Sequence, residues 1–159
     1  MHEADLSIFV RLVVIILLAG FIGWERESAG KSAGLRTHIL VGVSSVLFIV
    51  IGEFMIDKFR AYGDSMRFDP VRVVEAIVTG ISFLGAGVII FNRGSNSVKG
   101  LTTAAGILTT AAIGMLVGLE RFVLAIGTTV IVFVVLYFVS DLEKRLLSGK
   151  GSEANQDRS

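Results

Sequence analysis

The apolar residues of this chain come in blocks about as long as a lipid bilayer is thick. Five such blocks run roughly Leu6 to Trp24, Thr37 to Ile56, Pro70 to Phe91, Leu101 to Gly118 and Phe122 to Ser140. A helix needs about 20 mostly apolar residues to cross the hydrocarbon core. The prediction is therefore an all-α integral membrane protein with a bundle of about five transmembrane helices. Charged residues make up only 18% of the chain, below the roughly 25% of soluble domains, so a soluble core is a poor alternative.

One compact membrane domain over residues 1–147 fits the length, followed by a polar tail over 148–159 that is expected to be disordered. Glu3 and Asp5 precede the first block where a signal peptide would carry basic residues, so that block reads as a retained helix. Asp69-Pro70 is a good helix start. Only Leu119, Glu120 and Arg121 separate the fourth block from the fifth, so those two helices must be antiparallel neighbours. With five spans, Arg26, Lys31, Arg36, Arg93, Lys99, Lys144, Arg145, Lys150 and Arg158 share one side, and Arg11, Lys58, Arg60, Arg67, Arg72 and Arg121 the other. The nine-to-six bias predicts the N-terminus outside and the C-terminus in the cytoplasm.

Small residues concentrate from Thr79 to Gly118. The third block carries Gly80, Ser82, Gly85, Ala86 and Gly87, and the fourth places Thr102, Gly106, Thr110, Gly114 and Gly118 at four-residue intervals. On a helix that interval makes one nearly straight row with no large side chain. In lipid such a row lets another helix approach closely. Gly80, Gly85, Gly87, Gly106, Thr110, Gly114 and Gly118 are therefore expected to pack helices, with a discontinuous, ligand-binding helix at Gly85 and Gly87 as the alternative. Thr102, Thr103, Thr109 and Thr110 are expected to bond back to the preceding turn, with bonds across helices as the alternative.

Connectivity gathers polar residues at two levels. Glu25 and Arg26, then Arg36, Thr37 and His38, then Asn92 and Arg93, then Lys99, Thr102 and Thr103, meet at one membrane face. They read either as a cluster for an ion or a partner's charge, or as anchors that snorkel into headgroups. Arg72 and Glu75, three residues apart near the other face, can pair with each other, and Glu53 lies at their level. His38 reads as a hydrogen-bonded anchor at the interface rather than a metal ligand. Cysteine is absent and there are two histidines, so thiolate and histidine-rich metal sites are excluded within one chain. A net charge of +1 leaves no nucleic-acid footprint. No nucleophile elbow, zinc-protease motif or P-loop occurs, so neither an enzyme nor a cofactor is predicted.

Three ordered blocks resemble one known family. Ile22-Gly23-Trp24-Glu25-Arg26-Glu27 with Ala33-Gly34-Leu35-Arg36-Thr37-His38 resembles the first loop of the MgtC/SapB family. Val78 to Ile89 and Val98 to Ala105 resemble its central hairpin. Two positions depart from the family pattern: Ser82 stands where Gly is usual, and Glu75 where Gln is frequent. The resemblance implies a bacterial inner-membrane protein of about five helices, linked to growth at low magnesium and to virulence. It implies a regulator rather than a magnesium carrier, with restraint of the F-type ATP synthase in the best-described member. Longer members add a soluble domain, and this sequence reads as a short form without it. By matching position, Glu25, Arg26, Arg36, Thr102 and Thr103 are the residues carried over.

Two functions follow as expectations. One is a regulator that touches another membrane complex by helix–helix contact. The other is an ion or small-solute transporter, for magnesium or another cation, which at five spans would need to be a homo-oligomer.

Overall fold

The computed structural model describes residues 2–60, 69–91 and 99–138. They form five helices: α1 (His2–Ser28), α2 (Leu35–Arg60), α3 (Pro70–Phe91), α4 (Leu101–Gly118) and α5 (Phe122–Phe138). Strand is absent from the described residues. The first four are long and apolar enough to cross a bilayer, and α5 is a shorter apolar helix as far as it is described. Asn92 and Arg93 of the expected polar cluster, and the expected tail 148–159, lie outside the described residues.

Helix ends follow local chemistry. The Asp69 carboxylate accepts the Val71 N–H at 3.0 Å, capping α3 just before Pro70. The Glu27 carboxylate accepts the Leu35 N–H at 2.8 Å, so the end of α1 caps the start of α2. α4 ends in a Schellman turn: Arg121 N–H donates to Leu116 C=O at 2.8 Å and Glu120 N–H to Val117 C=O at 3.0 Å. The left-handed position of that turn, normally glycine, is held by Glu120 at φ 59.

Contacts between helices fix their directions. A Cβ placed on Gly106 meets His38, one on Gly114 meets Gly42 and Ser45, and one on Gly118 meets Ile49. Rising numbers on α4 therefore meet rising numbers on α2, so those two helices run parallel. Gly52 of α2 lies by Val73 at the start of α3, and Gly85 near its end lies by Ala104, so α3 runs against both. α5 turns back after Leu119, Glu120 and Arg121, antiparallel to α4 as expected, and stacks Phe133 on Phe21 of α1 with ring centroids 4.2 Å apart. The main core joins Ile15, Ala19 and Ile22 of α1, Val46 and Val50 of α2, Ile113 and Val117 of α4, and Ala125 and Leu136 of α5.

The row on α4 lies inside this bundle. Gly106, Thr110, Gly114 and Gly118 are all buried against α2, while Thr102 at the head of the row is exposed. The seam is tight at Gly114, where a Cβ would sit 2.7 Å from the Gly42 carbonyl oxygen and 2.8 Å from Ser45 Cβ. Gly42 is itself hemmed in on its other side, since its Cβ would lie 2.7 Å from Ile15 Cγ1. Gly85 packs on Ala104, as expected of it. Gly80 and Gly87 pack no helix within the chain: a Cβ on either meets nothing within 4 Å, because both lie to the side of the α3 stripe that touches the bundle. α3 runs unbroken through Gly85 and Gly87, against the alternative of a discontinuous helix.

Candidate functional site

At the end where α1 finishes and α2 and α4 begin, polar side chains are enclosed rather than spread over a rim. Gly23 brings the helices together there: a Cβ on it would lie 2.8 Å from Leu35 Cα and 3.0 Å from His38 Cβ. Arg26 is fully buried at 1% exposure. Its Nη2 donates to Glu25 Oε1 at 2.8 Å and its Nε donates to Glu25 Oε2, so one guanidinium occupies both oxygens of the carboxylate.

His38 is the centre of this junction. It is 0% exposed, one turn into α2, enclosed by the seam and hydrogen-bonded as expected. Its Nδ1 lies 2.7 Å from Thr110 Oγ1. The Thr110 hydroxyl donates to the Gly106 carbonyl at 2.9 Å, the back-bond expected of it, and has only one proton to give. Nδ1 must therefore carry the proton and donate to Thr110. Nε2 is left as a bare acceptor, buried, with no hydrogen-bond partner. The charged groups acting on His38 are Arg26 and Glu25. Thr103, 4% exposed, completes the enclosed set.

The other expected members of this cluster stay outside. Arg36, Thr37, Lys99 and Thr102 are all exposed. The central place of His38 is missed by sequence reasoning, because a lone histidine carries little signal. The clue is Gly23 and Gly106, which leave room for the ring but lie on two different helices.

A second ion cluster closes the opposite end. Arg11, 9% exposed, donates through Nη1 to Glu53 at 2.9 Å and to the Gly118 carbonyl at 2.7 Å, and through Nη2 to Glu120 at 2.6 Å. The Ser7 hydroxyl also donates to Glu120 at 3.0 Å. The Ser7 and Arg11 hydrogen bonds hold the Glu120 carboxyl below its usual range. These contacts explain why a non-glycine residue keeps the left-handed position. Glu53 thus pairs with Arg11 and does not join Arg72 and Glu75. Arg72 and Glu75 are both exposed, and no ion pair forms between them, contrary to expectation. Among the described residues no three His, Asp or Glu converge as metal ligands would.

The chain matches the MgtC family model over residues 12–145. It is 39% identical over 139 residues to the "Putative magnesium transporter YhiD" of Escherichia coli K12, covering 87% of this chain and 63% of that protein. It is 47% identical over 102 residues to "Protein MgtC" of Brucella abortus, covering 64% of this chain and 38% of the relative. "Protein MgtC" of Salmonella typhimurium is 39% identical over 123 residues, 77% of this chain and 48% of the relative. The chain thus spans between about two fifths and two thirds of these relatives' lengths. No solved structure matches it significantly. With a family match across most of its length and four apolar helices long enough to span a bilayer, the chain is a multi-pass bacterial inner-membrane protein and belongs to the MgtC family.

Proposed function

We propose that this protein is a regulator of the bacterial inner membrane, tied to adaptation to low magnesium, that acts by helix–helix contact with another membrane complex. One observation carries this reading. The carboxylates that face the bundle are already occupied by buried arginines: Glu25 by Arg26, and Glu53 and Glu120 by Arg11. A divalent cation on its way through would need oxygen ligands free of competing charge. At each end it would meet a guanidinium first. The F-type ATP synthase is the partner that the family resemblance implies. The N-terminus lies outside and the Arg26 end faces the cytoplasm, in keeping with the excess of basic residues on that side.

Crosslinking in native membranes, followed by recovery of the complex, tests the contact. The expected result is capture of a membrane complex and altered proton pumping in vesicles from expressing cells. Failure to recover any complex, with pumping unchanged, ends this reading. Labelling of single cysteines introduced at Lys31 and Asp57 checks the orientation, with Asp57 expected to react from outside.

An oligomeric transporter is the second reading. The bare, buried Nε2 of His38 favours it, because an acceptor of that kind suits a passing proton or a donor group. The name of the Escherichia coli relative points the same way. Flux of magnesium, potassium and protons in proteoliposomes decides it, and a flat signal for all three removes it.

A further inference from the structure

α3 shows two different sides. Ile77 and Gly85 are buried, and Val73, Ile81 and Val88 are partly buried, which marks the stripe that meets α2 and α4. Helical periodicity sets the opposite stripe as Arg72, Glu75, Thr79, Ser82 and Ala86, and all five are exposed. Only 11% of the apolar window of α3 is buried, against 50% for α4.

The chemistry of that outward stripe does not suit lipid. Arg72 and Glu75 lie within the apolar span Pro70–Ile89 and have no ion-pair partner among the described residues. Ser45, Thr109, Thr110 and Thr129 each satisfy their hydroxyl on the carbonyl four residues back. The Thr79 and Ser82 hydroxyls make no such bond and have no partner among the described residues. Four polar side chains stand in a line on a face that no other described helix covers, and the two that lie further into the span, Thr79 and Ser82, would find no hydrogen-bond partner in hydrocarbon.

We propose that this face of α3 joins two copies of the chain, with Arg72 of each copy paired to Glu75 of the other. The argument rests on charge order. A base and an acid three residues apart on one face differ in depth by about 4.5 Å. A two-fold axis along the membrane normal keeps every residue at the same depth in both copies and makes the interface self-complementary. Arg72 then reaches across the axis to Glu75, and the same contact repeats with the copies exchanged. A different protein would have to supply its own acid and base at those two depths. Thr79, Ser82 and Ala86 below the pairs are small, so the two backbones can approach and the hydroxyls can bond across.

The natural chain has no cysteine, which makes a clean test. Thr79→Cys and Ser82→Cys variants are oxidised in native membranes. Each is expected to give a disulfide-linked species of about twice 17.1 kDa. Val123→Cys, on the 84%-exposed face of α5, is expected to stay monomeric. Adding R72E or E75R to Thr79→Cys should lower the dimer yield by roughly tenfold or more, because like charges then oppose across the axis. Co-expressing the R72E and E75R chains should restore it, since every cross-axis pair becomes opposite in sign. Arg72 and Glu75 make no ion pair within the chain, so the single variants should fold, which Trp24 fluorescence and far-UV circular dichroism check. Monomeric Thr79→Cys and Ser82→Cys, crosslinks to a different protein, or charge reversals that leave the yield unchanged would each overturn the proposal.

Discussion

α3 and α4 are alike in sequence and opposite in fate. Both are apolar helices with glycine, alanine and hydroxyl residues at close intervals. α4 spends its row inside the chain, because α2 offers Gly42 and Ser45 as a matching row to pack against. α3 turns its Gly80, Thr79 and Ser82 away from the bundle, where no other described helix covers them. The difference teaches that a small-residue row says a helix can be approached, and that a second row elsewhere decides by what. Polar groups divide along the same line. Arg26 and Arg11 are buried and engaged with carboxylates, whereas Arg72 is exposed and makes no ion pair.

The largest expected contrast is between the two kinds of arginine. Arg26→Met strands the Glu25 carboxylate at the buried junction and should destabilise the bundle by roughly 3–5 kcal/mol. Arg72→Met should leave the stability of the isolated monomer within about 0.5 kcal/mol. Reversible unfolding in bicelles measures both, and equal losses would erase that division. Next comes the seam. Gly114→Ala must push α2 and α4 apart and should cost about 1–3 kcal/mol. If its melting curve overlays that of the natural protein, the seam is looser than these distances say.

Thr110→Val should cost about 1–2 kcal/mol, because it removes the acceptor of the His38 Nδ1 proton and leaves both ring nitrogens unpartnered in the interior. Nitrogen-15 NMR of the imidazole, with His2 replaced by alanine, should show the Nδ1–H form in the natural protein. An Nε2–H signal would contradict the hydrogen-bond assignment. On the open side, Gly80→Ala should be neutral or stabilise the monomer by up to about 1 kcal/mol, since the Cβ meets nothing and alanine is the better helix former. A clear loss would mean that side of α3 is covered within the monomer.

The smallest effect concerns acid. Glu120 has its folded pKa lowered by Ser7 and Arg11, so its contribution to stability is present above the unfolded carboxyl value. That contribution is lost as pH falls through the lowered folded value. Because Glu120 is exposed, the change should be slight. Glu120→Gln should lower stability slightly at neutral pH and flatten the acid limb, so that the two proteins converge at low pH, and an unaltered profile would show that the contact with Arg11 contributes nothing.

Local signals make much of this molecule legible in its amino-acid order. The α3 and α4 boundaries can be read because Asp69-Pro70 and the step from Lys99-Gly100 into an apolar run act within a few residues. The pairing of Arg26 with Glu25 is legible in outline, since a charge pair at the edge of an apolar block has few ways to be satisfied. The surroundings of His38 and Arg11 are not, because their partners lie 72, 42 and 109 residues away along the chain. Nothing local to those residues announces a partner at that distance.

The sequence by itself determined that the chain crosses a membrane, that its described residues make five helices, and where α3 and α4 begin and end, whereas α1 and α2 each run about a turn past the expected Trp24 and Ile56; block length, capping residues and lipid solvation all act within one segment. Only the tertiary structure decided which small-residue row would be buried, which arginines would be satisfied, and which face of α3 would stay bare. Those choices depend on the angle at which whole helices meet, and that angle is set jointly by residues on different segments.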